Sequence, residues 1–215
     1  MRRSTRARRV RVNVRTLPEG RSVGVEVVLP QRASERAAAA AVRELRPWIE
    51  RRLGEAEAAL ARVAERAGTV PYLGATLRLV PQRGRTRVHR DGERLLVPAS
   101  DGGAALERFY RRAARAEIEP RLNAATALVG LSYSGLSIRG QRTRWGSCSV
   151  AGHMSFNWRL LLAPERVLEY VIWHEVCHLE ILDHSPRFWA LLGRRLPGYR
   201  EPQEWLRANG ATLIL

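Results

Sequence analysis

The stretch His174-Glu175-Val176-Cys177-His178, followed by His184, decides how this chain of 215 residues is interpreted. It holds three of the five histidines of the sequence within eleven residues. On an α-helix, His174 and His178 lie about 40° apart on one face, one turn above the other. Their rings can therefore converge on a single metal ion, with Zn–N distances near ~2.0–2.1 Å.

Glu175 is placed beside such an ion without having to bind it. On the helix it lies about 100° from His174 and about 60° from His178. That is the position of a general base that acts on metal-bound water. We therefore expect the H-E-x-x-H pattern to mark the site of a zinc-dependent hydrolase, with Glu175 as its catalytic residue.

A third histidine, His184, is the expected third ligand of the ion. It follows His178 by six residues, beyond a helix that we expect to run to about Leu182. Directly after it, Ser185-Pro186 has the pattern of an N-cap with proline at the first helical position. A short loop between the two helices would bring His184 back toward the ion.

The turn before His184 cannot follow the most familiar pattern. The spacing equals that of H-E-x-x-H-x-x-G-x-x-H, but Ile181 stands where that pattern has glycine. A different turn is needed, for example one with Asp183 in a left-handed conformation. A distant carboxylate, Glu201 or Glu204, remains an alternative third ligand.

Composition limits the class of protein. The chain is ordinary for a soluble globular protein, with 45% hydrophobic and 27% charged residues. Its formal net charge is +16, and all 37 basic residues are arginine. This charge could serve a nucleic-acid or nucleotide partner, whereas the absence of lysine is explained equally well by a biased coding sequence. We expect no membrane association, because no segment approaches the ~20 apolar residues of a span.

The two cysteines, Cys148 and Cys177, are too few for a disulfide framework. The basic N-terminus also lacks the apolar core of a signal peptide. We therefore expect reduced thiols and a cytoplasmic protein.

The first half of the chain is expected to be rich in strands. Alternating valines predict a β-hairpin over residues 7–30, turning at Leu17-Pro18-Glu19-Gly20. Residues 33–67 favour helix, which Pro47 and Gly54 should kink or interrupt. Residues 72–98 read as further strands, with a hairpin turn at Asp91-Gly92. We place a domain boundary near residue 100, between an N-terminal β-rich lobe (1–100) and a catalytic lobe (101–215).

The second half is expected to hold the catalytic machinery. A long helix is predicted over about 104–129, kinked or divided at Pro120. Short strands follow up to about Leu161, and the motif helix comes next. The fold class is therefore α+β.

Four blocks in this order resemble the YgjP-like family of metal-dependent hydrolases, which is related to SprT-like and other zincin metallopeptidases. The blocks are Arg144-Trp145-Gly146-Ser147-Cys148-Ser149, Phe156-Asn157-Trp158-Arg159-Leu160, Tyr170 to His178, and His184-Ser185-Pro186-Arg187-Phe188-Trp189. The N-terminal hairpin, Pro47-Trp48-Ile49 and Tyr72-Leu73-Gly74 are similar to the first half of that family. Cys177 departs from the family, which more usually has a small apolar residue there.

The resemblance implies one zinc ion held by His174, His178 and His184, with Glu175 as the catalytic residue. It also implies a minimal zincin core, in which a mixed sheet packs on the active-site helix and a backing helix. By analogy the backing helix is 104–129, and a sheet edge near 154–160 would align an extended substrate. In the block around Gly146, we expect the glycine to allow a tight bend and Trp145 to fill the core beside the motif helix. Arg142 and Arg144 could bind a substrate carboxylate or phosphate through their planar guanidinium groups.

The function expected from these observations is that of a zinc metallopeptidase. The same site with a nucleoside triphosphate as substrate is an alternative, suggested by the arginine excess. A nucleic-acid-associated protein, in which the metal serves localised proteolysis or structure, is another. The substrate, a nucleic-acid partner and the oligomeric state stay open at this point.

Overall fold

The computed structural model of the chain describes residues 1–5, 7–16, 23–66, 68–141 and 144–215, without the side chains of residues 15, 16 and 59. Its contacts divide the chain into two compact units, Met1–Glu65 and Arg66–Leu215. Within the described residues, none of the helices is both long and apolar enough to cross a membrane.

The first unit is built on a three-stranded sheet. Its central strand β3 (Val23–Pro30) pairs parallel with β1 (Arg2–Ser4) and antiparallel with β2 (Arg11–Thr16). The predicted hairpin is thus present as β2 and β3. Its predicted turn at Leu17-Pro18-Glu19-Gly20 lies outside the described residues.

Two helices complete the first unit, α1 (Glu35–Glu44) and α2 (Arg46–Ala64). The Ser34 side chain caps α1 by accepting a hydrogen bond from the backbone N–H of Ala37 at 3.2 Å. Pro47 lies in the first turn of α2, where its missing N–H costs nothing. Gly54, in contrast, lies inside α2 without interrupting it. The unit's own buried core is Val12, Val27, Leu29, Ala38 and Ile49.

The second unit begins with a four-stranded sheet in the order β4-β5-β7-β6. Its strands are β4 (Thr69–Tyr72), β5 (Ala75–Gln82), β6 (His89–Asp91) and β7 (Arg94–Pro98). β6 and β7 pair antiparallel across the predicted Asp91-Gly92 turn, where Gly92 has a φ of 58°. The β4–β5 hairpin contacts the segment that precedes the motif helix, since the backbone N–H of Leu73 donates to the carbonyl of Leu161 at 2.8 Å.

The long helix α3 (Gly102–Leu128) is continuous and buries one face. Buried side chains recur along it at four-residue spacing, as Leu106, Tyr110, Ala114, Ile118, Leu122 and Thr126. Pro120 was expected to kink or divide this helix, but it does not divide it. Both Pro120 and Ala116, whose carbonyl loses its helical hydrogen bond, are exposed, so water can replace that bond.

A second, mixed sheet of three strands lies beside the motif. Its strands are β8 (Gly135–Arg139), β9 (Gly146–Cys148) and β10 (His153–Asn157). β10 is central, parallel to β8 and antiparallel to β9. The predicted sheet edge near 154–160 is therefore wrong, because β10 is paired on both sides and a 3-10 helix (Trp158–Leu162) follows it. The edge next to the motif is β9.

Three helices end the chain. They are α4 (Glu165–Cys177), which carries the motif, α5 (Pro186–Arg195) and α6 (Arg200–Asn209). α4 packs against α3, β9, α5 and α6. Its buried residues include Val167, Leu168, Val171, Ile172 and Val176, each at most 3% exposed.

The predicted α+β class is confirmed by this arrangement, but the predicted boundary near residue 100 does not separate two units. The division falls after Glu65 instead. The physical reason is a shared core: Val70, Leu77, Leu95 and Val97 belong to the same buried cluster as the inner faces of α3 and α4. Strands β4 to β7 therefore belong to the unit that carries the motif.

Candidate metal centre

The helix α4 ends earlier than its apolar pattern suggests. Regular helix stops at Cys177, with His178 as its C-cap, rather than running to about Leu182. The next residues form tight turns, in which the N–H groups of Leu179 and Glu180 donate to carbonyls three residues back. These turns bring the chain back toward α4 and so deliver the third histidine.

The structure brings His174, His178 and His184 together. The Nε2 atom of His174 lies 3.2 Å from Nε2 of His178 and 3.0 Å from Nε2 of His184. One ligand atom from each ring lies within 4.8 Å of the others. Tetrahedral ligands of zinc at ~2.0–2.1 Å are about 3.3–3.4 Å apart, so the two short separations fit a shared ion.

The hydrogen bond on the other nitrogen of the His178 ring also supports a shared ion. Nδ1 of His178 lies 2.9 Å from the carbonyl oxygen of Ile181, so this nitrogen carries the proton. The Nε2 lone pair of His178 consequently faces His174. A carbonyl partner of this kind is the usual way to orient a metal-ligating histidine.

The charge state of the rings also favours a cation. Burial, and then the neighbouring His178 and His184, lowers the pKa of His174 to about 3. Burial lowers the pKa of His178 as well. His174 is therefore neutral at physiological pH, and its Nδ1 is buried without a hydrogen-bond partner in the described part of the chain. One cation would satisfy the three converging Nε2 atoms, which a single shared proton cannot do.

The turn before His184 is not the left-handed one suggested for Asp183. Among the described non-glycine residues, only Leu73 and Asp101 have positive φ. Asp183 instead accepts a hydrogen bond from the backbone N–H of Ser185 at 3.0 Å. This bond lies at the start of α5. Hydrogen bonding from the Ser185 side chain, and then from its backbone N–H, lowers the pKa of the Asp183 carboxyl. The predicted helix start at Ser185-Pro186 is confirmed.

Aromatic rings from α5 hold two of the histidines in place. Phe188 stacks on His178, with ring centroids 4.5 Å apart and an interplanar angle of 28°. Trp189 stacks on His184 at 5.6 Å, and its indole N–H donates to the carbonyl of the same residue at 3.1 Å. Tyr199 stacks in turn on Trp189. We call Phe188, Trp189 and Tyr199 the aromatic clamp.

The clamp makes a testable contribution to metal binding. Trp189→Phe keeps an aromatic ring beside His184 but removes the indole N–H that holds its carbonyl. We expect zinc affinity to fall by about 10-fold, since orienting partners of ligands typically contribute 10- to 100-fold. Competition titration with a chromogenic chelator measures this. Trp48→Phe, in the first unit, is the matched control, and an equal loss in both variants would contradict a role for the clamp.

Glu175 is buried beside the histidines and packs on a glycine. It is 4% exposed, and its Oε2 atom has no hydrogen-bond partner among the described residues. In the metal-free chain, burial raises the pKa of its carboxyl to about 8, and Arg144 opposes this rise. A β-carbon built on Gly146 would lie 2.8 Å from both Cγ and Cδ of Glu175 and closer still to Oε1. The side chain thus occupies the space that a larger residue at 146 would need.

The segment before β9 is held by Asn157. Its amide donates to the carbonyls of Gln141 at 2.6 Å and Arg144 at 3.2 Å. Its carbonyl accepts from the backbone N–H of Arg159 at 3.1 Å. Asn157 is 3% exposed, so these bonds are shielded from water. They fix the entry into β9, which carries Gly146.

An open cleft of about 490 Å³ contains the site. Arg144 is the one arginine among the described residues that line it, whereas Arg142 lies outside the described residues. Trp145, Tyr170 and Leu206 add apolar surface, and burial raises the pKa of the Tyr170 hydroxyl to about 12. The cleft thus combines a metal-binding end, a buried acid and an apolar wall.

The other residues singled out in the sequence lie elsewhere or serve packing. Glu201 pairs with Arg166 at 3.1 Å, and neither it nor Glu204 joins the histidine cluster. Cys177 is fully buried, and both cysteines are free thiols. The sequence predicted only a tight bend at Gly146. It did not predict the close approach of Gly146 to Glu175, which is 29 positions away in the sequence.

Comparisons with known proteins agree with this geometry. A family model described as YgjP-like, metallopeptidase domain, matches residues 10–209. No curated protein matches the chain significantly.

Two crystal structures of metallopeptidase zymogens show a partial likeness. They are abylysin of Pyrococcus abyssi, with 22% identity and a TM-score of 0.39, and jannalysin of Methanocaldococcus jannaschii, with 20% identity and a TM-score of 0.38. The likenesses cover 43% and 42% of this chain, respectively, and 93% of each of the other two.

Proposed function

The chain belongs to the YgjP-like metallopeptidase family, and from this premise we propose that it is a zinc-dependent peptidase. In this proposal His174, His178 and His184 hold the ion, and Glu175 is the general base. The observation that carries it is the convergence of three histidine Nε2 atoms beside one buried carboxylate.

Zinc is the ion that suits this donor set. Three imidazole nitrogens that border an open cleft would suit a catalytic zinc ion, which needs room for a water molecule or substrate beside its protein ligands. Closed structural sites usually have four protein ligands, often including cysteine thiolates. Both cysteines are outside the cluster, so a structural site is disfavoured.

The chain's own residues supply the proton transfers. A bound zinc ion would polarise the scissile carbonyl and lower the pKa of a water molecule toward ~7. Glu175 takes one proton from the water as its oxygen attacks the carbonyl carbon. It then passes that proton to the amide nitrogen as the C–N bond breaks, which leaves a carboxylic acid and an amine. The surrounding apolar residues keep bulk water from competing for the carboxylate.

Strand β9 is the element that would align an extended peptide. The N–H of Asn157 donates to the carbonyl of Trp145, and the N–H of Ser149 donates to the carbonyl of His153. In an antiparallel ladder the bonded residues alternate, so the backbone groups of Gly146 and Cys148 point away from β10. These groups lie at the edge that borders the cleft, where a substrate strand can pair with them.

The surrounding elements fit a minimal zincin core. α4 is the active-site helix, α3 packs behind it, and the mixed sheet β8-β10-β9 lies alongside. The expected backing helix of 104–129 corresponds to α3 at Gly102–Leu128. This assignment is part of the proposal and rests on the order and packing of these elements in the second unit.

A metal-replacement assay on the full chain tests the proposed function. Purified protein is stripped with a chelator, reloaded with zinc and incubated with a peptide library and a panel of nucleoside triphosphates. We expect peptide cleavage that is lost on stripping and restored by zinc. Hydrolysis of nucleotides alone would replace the peptidase with a phosphohydrolase, and full activity of the stripped protein would overturn both.

A further inference from the structure

We propose that Gly146 is a positioning residue for catalysis, and that its lack of a side chain sets where the Glu175 carboxylate lies. The proposal rests on the proposed role of Glu175 as general base. It assigns a function to a glycine for which the sequence suggested only a tight bend.

Space, not backbone conformation, is what requires a glycine at this position. Gly146 is absent from the glycines with positive φ, and it lies within the extended strand β9. Any L-residue could adopt its backbone conformation. The obstacle is Glu175, since an added β-carbon would approach three of its side-chain atoms more closely than non-bonded carbon atoms normally do.

The contact involves the outer half of the glutamate side chain. Cγ, Cδ and Oε1 of Glu175 all lie against Gly146, so rotation of the carboxylate alone would not relieve a clash. The Glu175 side chain has few other conformations available, because χ1 of a residue on a helix is largely restricted to two rotamers. Val171, Val176 and Cys177 on the same helix are also buried. A side chain at 146 would therefore push the carboxylate out of its position beside the histidines.

Gly146 also faces the expected substrate. Its backbone N–H and C=O point away from β10, toward the position of a paired peptide. Gly146 thus leaves the space of its missing side chain to the base and presents hydrogen-bonding groups to the expected substrate backbone. The distance between base and bound peptide is then fixed by a single residue, as a positioned proton transfer requires.

The test is the variant Gly146→Ala, analysed alone and together with changes at Glu175. When Glu175 is unchanged, we expect Gly146→Ala to lower kcat/KM by at least about 100-fold. In the Glu175→Gln background the same change should lower residual activity by less than about 3-fold, because the base is already absent. Zinc affinity should stay within about 3-fold of wild type, since the ligands are not touched. Gly103→Ala is the matched control, because an added β-carbon at this position near the start of α3 would meet no described atom within 4 Å apart from its chain neighbours and its own helix backbone.

A stability cycle gives the answer even where residual activity is too low to measure. Overpacking by Gly146→Ala should lower Tm by about 3–8 °C when Glu175 is present. In the Glu175→Ala background, where the clash is gone, the same change should shift Tm by less than about 2 °C.

The outcomes separate this proposal from the proposed function. Full activity of Glu175→Gln would overturn the general base itself. An inactive Glu175→Gln with a nearly wild-type Gly146→Ala would overturn the positioning role alone. Equal losses from Gly146→Ala in both backgrounds, or a parallel loss of zinc affinity, would also overturn it, because the glycine would then act through the substrate or the ligands.

Discussion

Glu175→Gln is expected to lower kcat/KM for peptide cleavage by about 10²- to 10⁴-fold, which is the usual contribution of a positioned general base. Glutamine has nearly the same shape as glutamate, so the contact with Gly146 and the packing of α4 are kept. It cannot accept a proton from the attacking water at neutral pH. The loss should therefore appear in kcat as well as in kcat/KM, because it removes an interaction made in the transition state.

The same variant should bind zinc as well as wild type does. Glu175 directly follows His174 and precedes His178 by three residues, but its own oxygens are not part of the histidine cluster. Without zinc the variant should be about as stable as wild type, because burial raises the pKa of the Glu175 carboxyl to about 8 and so already keeps it largely neutral at pH 7 when no cation is bound. Kinetics on zinc-loaded protein and thermal unfolding of the metal-free form measure both.

The matched control is Glu169→Gln. Glu169 is on the same helix but exposed, so its loss should leave kcat/KM within about 3-fold. If Glu175→Gln retained wild-type turnover, another group would have to take the proton. If it lost zinc instead, Glu175 would be acting on the metal site and not as a base.

The site was largely predictable because its three histidines are close in the sequence. Helical periodicity alone places His174 and His178 together, and the helix start at Ser185-Pro186 brings His184 close behind them. The details of the turn were not predictable in the same way. The path of the chain from Cys177 to His184 depends on the tight turns after Cys177 and on the hydrogen bond from the Ser185 N–H to Asp183. The residue pattern has no strong signal for either feature.

Features that depend on distant contacts were predicted poorly. Alternation shows that 154–157 is a strand, but it cannot show that β10 is central and β9 is the edge. The boundary near residue 100 failed for a related reason, since only tertiary packing reveals that β4 to β7 share a core with α4. The close approach of Gly146 to Glu175 likewise follows from how β9 packs on α4.

The second large effect is expected at the proposed third ligand, where His184→Ala should weaken zinc binding by more than about 100-fold. Loss of a direct ligand should exceed the 10- to 100-fold typical of a partner that only orients a ligand. His178 and His174 would remain on α4, but two nitrogens alone leave the ion under-coordinated. Peptide cleavage at limiting zinc should fall in parallel with occupancy.

Thermal unfolding makes the loss measurable without any substrate. At a zinc concentration about 100 times the wild-type Kd, binding stabilises the folded protein by about 2.7 kcal/mol. A 100-fold weaker site at the same concentration retains only about 0.4 kcal/mol. For a unit of this size, the zinc-induced rise in Tm should therefore shrink from about 5–10 °C to about 1 °C.

The alternative carboxylate ligands provide the discriminating comparison. Glu201→Gln and Glu204→Gln should keep the full zinc-induced rise in Tm, since Glu201 already pairs with Arg166 and neither carboxylate lies in the histidine cluster. A site that survived His184→Ala but failed with Glu204→Gln would move the third ligand onto α6. His184 would then be only a loop residue, and the aromatic clamp would stabilise the start of α5 without acting on the metal. Loss of zinc binding in His184→Ala alone would instead support a role for the aromatic clamp in orienting a metal ligand. Trp189 stacks on the His184 ring and donates a hydrogen bond to the His184 carbonyl.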